Sequence, residues 1–541
     1  MQISRRLILA APAALALPRF AIAQGDNRPS ITIAVQKVVN SNTLEVLREQ
    51  SNVGERVFFS SLWEGLISRD WLGQLGAVPG LATEWNRISD QVVELKLRPG
   101  VRFHNGDEMT AEDVVFSFSR DRMFGTTLAT AQGRTIPIGE GMPAPRAGKE
   151  LPPEVPAVAR RSWPALERVE AVDKYTVRFH NATPDVTLEG RLSRYGSEIM
   201  SRRGFEEAAS WMDWARKPIT TGPYMVAEYR PDVSLTLVAH DAYWGGRPPL
   251  RQIRFVEVPE VSSRINGLLS GEYQFACDLP PDQIPGIESN AAFEVQGGTI
   301  LNHRLICFDK NFPALRDARV RQAITHAMDR QAIVDSLWAG RTEVPKGLQW
   351  PYYDQMFHAD WSVPAYDPAL ARRLLREANY RGEPIPYRLL NNYYTNQNAT
   401  AQVLVEMWRQ VGLNVQIEMK ENWSQILERS PTRAIRDWSN SAPFNDPVSS
   451  IVNQHGPNGQ QQQVGEWTNE EMNRLSVELE TSTDRPRRRA IFRRMLEITE
   501  REDPAYTVIH QNATFTAKRR DIHWKASPAF AMDFRATNWG A

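Results

Sequence analysis

A chain of 541 residues with 24% charged and 42% hydrophobic side chains is long enough for several folding units, at roughly 100–200 residues per domain. Its 64 basic and 64 acidic residues cancel, and with no basic excess a nucleic-acid partner is not suggested. The chain begins with Ser4-Arg5-Arg6-Leu7-Ile8 and an Ala/Leu/Pro-rich apolar run to Phe20. Ala21-Ile22-Ala23 then forms a small-x-small cleavage signal, so residues 1–23 read as an export signal and the mature chain as starting at Gln24. The paired arginines fit a twin-arginine signal, and an ordinary Sec signal fits equally. Removing the signal takes away Arg5, Arg6 and Arg19 and no acid, leaving 61 basic against 64 acidic residues. No second long apolar stretch follows, and no lipobox cysteine, so the expected destination is the periplasm.

The next elements alternate between strand and helix. Leu95, Leu97 and Val101 lie on strands interrupted by Arg98-Pro99-Gly100, and Asn105-Gly106 supplies a second turn because both residues tolerate positive φ. Thr110 is an N-cap, Asp113 offers a capping-box-like partner, and Val114, Val115 and Phe118 give the helix a buried stripe. Val172 to Val177 alternates like an exposed-edge strand. From Asp317 a long helix is expected, its stripe of Val320, Ala323, Ile324, Ala327, Met328, Ile333 and Val334 stopping at Gly340. Asp367-Pro368 is an N-cap and N1 pair. Residues 399–411 read as a helix ended by Gly412, and Val415, Ile417 and Met419 as the strand after it, a unit of a layered α/β sheet. Two stretches read as loops: the Pro-rich run within 134–164, and the low-complexity segment 455–465.

Residues 95–120, LKLRPGVRFHNGDEMTAEDVVFSFSR, resemble the signature of the extracytoplasmic solute-binding proteins of family 5, the peptide- and nickel-binding components of ABC importers. Further segments match that family's pattern in order: Leu62-Trp63-Glu64-Gly65-Leu66, Leu81-Ala82-Thr83-Glu84-Trp85, Thr221-Gly222-Pro223-Tyr224, Tyr243-Trp244-Gly245-Gly246, Gly271-Glu272-Tyr273, Pro280-Pro281 and the Asp317–Ala323 stretch. The resemblance implies an α/β, two-lobed periplasmic-binding-protein clamp (type II, cluster C) with an additional inserted domain. It implies a discontinuous first lobe over 25–66, 218–298 and 506–541, an insert over 67–217, and a second lobe over 299–505. The implied role is capture of a small organic solute, a peptide by the family's habit and otherwise an opine, oligosaccharide or other conjugate, and its delivery as a monomer to an inner-membrane ABC permease.

No motif argues for catalysis. Gly141 to Gly148-Lys149 has the wrong spacing for a Walker loop, no Gly-x-Ser-x-Gly elbow occurs, and nine histidines show no metal-ligand cadence. His104 belongs to a turn and reads as structural. No metal, cofactor or catalytic residue is therefore assigned. A periplasmic enzyme or a sensor on the same scaffold is the rival class. Cys277 and Cys307 could close a disulfide worth about 3–4 kcal/mol by loop entropy, or remain buried thiols.

By resemblance to peptide-binding members, the second lobe walls its pocket with Trp423 and Trp438, and Arg429 and Arg436 offer planar charged forks to a carboxylate or phosphate. Asn440, Ser441 and Tyr393 (within Asn391-Asn392-Tyr393-Tyr394-Thr395) complete the candidate set, Tyr393 having a second reading in the cap region of the 399–411 helix. Those members place an Asp shortly after the second Trp, where it pairs with a peptide's terminal ammonium. Here that position falls on Pro443 counting back from Asp446-Pro447, or on Ser441 counting forward from Trp438, and neither carries a carboxylate. Asp437 is the nearest acid that could stand in.

Overall fold

The computed structural model describes residues 26–540 except 126, 130–134 and 138–148. The export signal at 1–23 and part of the Pro-rich run lie outside these residues.

A ten-stranded mixed sheet organises the molecule, in the order Tyr224–Arg230, Ser234–Ala239, Gln252–Glu257, Ser30–Val35, Phe275–Ala276, Tyr506–Arg519, Phe293–Phe308, Ile435–Ser441, Ile385–Leu390, Val415–Lys420. Two strands near its middle are long, and they pair antiparallel, Phe293 with Arg519 at one end and Cys307 with Tyr506 at the other. Their register shifts between Thr299 and His303, so the ladder is broken near its centre.

Strand directions place the functional edge. Ser30–Val35 runs parallel to Gln252–Glu257 and Phe275–Ala276, while Ile385–Leu390 runs parallel to Val415–Lys420 and Ile435–Ser441. Phe275–Ala276 is antiparallel to Tyr506–Arg519, and Ile435–Ser441 is antiparallel to Phe293–Phe308. The carboxyl ends of one parallel set therefore point at the carboxyl ends of the other, which is where open α/β sheets bind ligands.

Packing follows side-chain alternation. On Phe293–Phe308, Leu305 and Cys307 enter one core with Trp350, Phe492 and Tyr506, and Ile306 and Phe308 enter another with Ile324, Tyr387 and Trp408. Between Ser30–Val35 and the strands that rejoin the large sheet from Tyr224 on, the chain builds a separate four-stranded antiparallel sheet, in the order Ala82–Ser89, Val92–Leu97, Thr176–Asn181, Leu166–Asp173. Its inner face is closed by Phe118, set edge-on against Trp163 and Phe179.

Several local expectations hold. The helix Ala111–Ser117 follows Thr110, whose backbone N–H donates to Asp113 Oδ2 at 3.0 Å, and Val114 and Phe118 are buried. Others are corrected. The periodic stripe after Asp317 is two helices, Ala318–His326 and Arg330–Trp338, because the Asp329 side chain accepts from Ala332 N and starts a new helix. Asp173–Tyr175 is the turn of a hairpin, with Asp173 Oδ1 accepting from Tyr175 N, and the strand after it lies inside its sheet. Within the Pro-rich run, Glu154–Ser162 is a helix with Pro156 buried in its first turn, where the missing N–H has no intrahelical acceptor anyway. Segment 455–465 is no solvated loop: Gln461 is fully buried, its amide donating to the carbonyls of Phe308 and Ala505. Both thiols are free and buried, and burial pushes Cys307 up to about 12.

Gly297 sits on a crossing strand at φ 127°, where a Cβ would lie 1.9 Å from the Thr514 carbonyl oxygen. Gly297→Ala is expected to lower stability by about 1–3 kcal/mol, read from the urea midpoint, because backbone on the partner strand must move.

Candidate functional site

The carboxyl ends of the three parallel strands in the second lobe lead into a tight aromatic cluster. Asn391 to Thr395 follows Ile385–Leu390, and Trp423 follows Val415–Lys420 at the start of the short helix Trp423–Leu427, capped by Asn422 through Gln425 N at 3.0 Å. Trp438 stands on Ile435–Ser441 itself. The Trp423 ring meets Tyr393 at 4.9 Å and Trp438 at 4.9 Å, both edge-on, and Tyr394 at 6.2 Å. Edge-to-face contacts of this kind are favourable beyond their buried area, and they fix the walls before any ligand arrives.

Beneath the aromatic rings lie two buried ion pairs. Arg436 donates from Nε and Nη2 to the two carboxylate oxygens of Glu466 at 2.7 and 2.8 Å, and its guanidinium lies 4.3 Å from the Trp438 ring centroid. Arg304 donates to Asp437 in the same forked fashion, and Gln397 Nε2 adds a third donor to Asp437 at 2.8 Å. Arg304 also lies 3.8 Å from the Tyr394 ring. The fork that the sequence offers to a ligand at Arg436 is thus engaged by Glu466, and Asp437 is engaged by Arg304; both serve as platforms under aromatic rings.

The remaining expected residues divide. Tyr393 Oη accepts from Asn40 Nδ2 at 2.9 Å, and Ser441 Oγ donates to Asn52 Oδ1 at 3.3 Å, both reaching across to the segment that follows Ser30–Val35. Gln36 donates to the Asn392 carbonyl across the same gap. Asn440 is buried and donates to the Ser450 carbonyl at 3.3 Å. Arg429 is exposed on the loop after the Trp423–Leu427 helix and lines neither of the two cavities at this edge.

Arg69 lines both cavities. The smaller, about 20 Å³, is lined by Glu55, Arg69, Asn302, Ser441, Pro443 and Phe530. Both positions to which the sequence count leads, Ser441 and Pro443, therefore face one cavity. The larger, about 90 Å³, opens toward the insert and includes Ser60, Glu64, Arg69, Ser193, Arg194 and Trp244. Glu64 is held by Thr221, Tyr243 and Trp244, three donors at 2.8–3.0 Å.

The charged groups on these walls are incompletely matched. Arg69 and Arg194 are each 6% exposed. Arg69 Nη2 and Arg194 Nε and Nη1 have no hydrogen-bond partner. Burial, reinforced by Arg161 and Arg191, pulls Arg194 down to about 9. Glu55 is part-buried, and burial pushes it up to about 7 against the pull of Arg69 and Arg194. Its neighbour Arg56 is turned away, bound to Asp278 at 3.0 Å. Elsewhere His104 is structural, tied to the Gly222 carbonyl at 3.0 Å and pushed down to about 3 by burial.

Sequence reasoning did not single out Glu55, Arg69 or Arg194. Glu55-Arg56 in the largely apolar helix Asn52–Phe58 was the one local signal, since a charge on a buried helix face needs a purpose.

The chain matches the model of the bacterial extracellular solute-binding proteins, family 5 Middle, over residues 76–461. It is 24% identical over 473 residues to the dipeptide-binding protein of Escherichia coli (strain K12), covering 83% of this chain and 84% of that one. It is 26% identical over 476 residues to heme-binding protein A of Haemophilus influenzae, covering 81% and 80%. Among solved structures, the dipeptide binding protein from Pseudoalteromonas sp. SM9913 in complex with Met-Leu superposes with a TM-score of 0.79 at 20% identity, covering 94% of this chain and 99% of that one. The resemblance of residues 95–120 and the expected α/β two-lobed clamp are both borne out. The chain belongs to the bacterial extracellular solute-binding proteins of family 5, whose members capture a solute outside the cytoplasm for an ABC importer.

Proposed function

We propose that the captured solute is a short peptide, held between the lobes at the meeting carboxyl strand ends and passed intact, without a chemical step, to an inner-membrane ABC permease. The observation that carries the reading is the pair of buried guanidiniums, Arg69 and Arg194, with N–H groups unpartnered beside the cleft. A buried donor without an acceptor is costly, and a peptide's terminal carboxylate supplies the missing acceptors. The aromatic cluster of Tyr393, Trp423 and Trp438 offers flat walls to side chains of varied shape. Similarity to dipeptide-binding proteins supports the same solute class. In this reading the lobes hinge where the crossing strands break register, near Thr299 and His303, the boundaries fall near 299 and 506, and residues 1–23 export the protein to the periplasm, where it acts as a monomer.

Native mass spectrometry of protein purified gently from periplasm tests the reading. A family of peptide masses released on denaturation is the expected result. A single non-peptide mass would overturn it in favour of a dedicated carrier, with the acidic group of that solute at Arg69 and Arg194.

A further inference from the structure

Glu55 is the one carboxylate lining the smaller cavity, and among the described residues its side chain makes no hydrogen bond or ion pair. The groups that face it are Arg69 and Arg194, with the Tyr195 phenol also within electrostatic range, and Arg56 is committed to Asp278. The opposite wall comes from the second lobe and brings polar side chains at Asn302 and Ser441, with apolar ones at Leu301 and Pro443. A space of about 20 Å³ takes a group the size of one water molecule. An ammonium head is of that size, and a guanidinium or an aromatic ring is not.

Charge decides what sort of solute can use the space. With Glu55 ionised, the three groups Glu55, Arg69 and Arg194 carry one negative and two positive charges. A solute with a cation alone would meet the repulsion of Arg69, and a solute with an anion alone would leave Glu55 facing another carboxylate. A solute with both, its anionic end at Arg69 and Arg194 and its ammonium in the smaller cavity, matches every charge.

Resting on the peptide reading above, we propose that Glu55 receives the ammonium end of a zwitterionic solute and releases a proton as it does so. The proton leaves the Glu55 carboxyl oxygen for solvent, and the resulting carboxylate accepts an N–H from the solute's ammonium, which keeps its own three protons. Burial pushes Glu55 up to about 7, so its protonated and ionised forms are both populated at neutral pH. A cation beside it lowers that value, and binding near pH 7 then releases a fraction of a proton per solute. The sign follows: affinity declines as pH falls below about 7, by about tenfold per pH unit at most, and declines again as pH rises above about 8, where the solute's own α-amino group loses its charge.

The test is calorimetric titration of full-length mature protein in phosphate and in Tris, whose different ionisation heats report the protons exchanged. Three probes are used: an equimolar dipeptide mixture, the same mixture N-acetylated, and an amino-acid mixture. Free dipeptides are expected to bind with a measurable release of protons at pH 7, and acetylated ones about tenfold more weakly with none. Glu55→Gln should bind free dipeptides about tenfold more weakly, without proton release, and Glu55→Asp should restore part of both. Equal binding of free and acetylated dipeptides, or binding without proton release, overturns the role of Glu55 and leaves the peptide reading intact. If dipeptides fail while amino acids bind with a proton release that Glu55→Gln removes, the peptide reading falls and Glu55 keeps its role. If none of the three mixtures binds, both fall.

Discussion

Arg436→Ala is expected to destabilise the protein by about 3–5 kcal/mol in urea unfolding, the largest single-residue effect on stability anticipated for this fold. The reason is the carboxylate left behind. Glu466 is 1% exposed and takes both its hydrogen bonds to a side chain from the Arg436 fork. Its next cation, Arg433 at 4.0 Å, is already bound to Asp309. Without Arg436 the carboxylate must sit poorly compensated in the core or take up a proton. Glu466→Gln should cost less, because an amide needs no counter-charge, although it leaves Arg436 under-coordinated. The same substitution at Arg436 withdraws the cation 4.3 Å from Trp438, so the aromatic wall should loosen too. A loss under about 1 kcal/mol would mean that the pair is far more hydrated than its geometry implies.

The largest effect on binding is expected from Arg69→Met combined with Arg194→Met. Hydrogen bonds to charged groups contribute about 1.5–3 kcal/mol each, so losing one at each arginine weakens dipeptides with a free carboxylate by about a hundredfold or more. C-terminally amidated dipeptides, which carry only the ammonium, should bind the variant at least as well as the parent because the repulsion of Arg69 is gone, which separates loss of the acceptor contact from general damage. Calorimetric titration with the two sets of peptides reads both. The double variant should be at least as stable as the parent, since two long apolar side chains replace buried cations with unsatisfied donors. An equal loss for acids and amides would place the carboxylate elsewhere.

Much of the scaffold could be read from the chain. The Thr110–Asp113 cap and the strand-helix alternation are local, since each depends on residues a few positions apart. The count from Trp438 and the count from Asp446-Pro447 reached different residues, Ser441 and Pro443, yet both line one cavity, because the whole stretch Ser441-Ala442-Pro443 borders it. What escaped is pairing between distant segments. Arg436 looked like a free fork because Glu466 comes 30 residues later, and Arg69 lines the same cavity as Arg194 only through tertiary packing of segments far apart in the chain. The stripe running through Ala327 to Ile333 hid a helix break, since Asp329 interrupts the backbone without disturbing the apolar period. Gln461 sat in a tract of glutamines that composition alone assigns to solvent, although its amide is a buried strut.

The placement of Tyr506–Arg519 bears on how the chain acquires its shape. This strand comes near the end of the sequence and lies in the middle of the sheet, between Phe275–Ala276 and Phe293–Phe308. Contacts separated by about 200 residues close slowly, because a long loop must be ordered before they contribute. Neither half of the sheet is complete until Tyr506–Arg519 has taken its place. Until then the edges of Phe275–Ala276 and Phe293–Phe308 that this strand pairs lack their partner, and unpaired edges of that kind are where a partly folded chain is prone to associate.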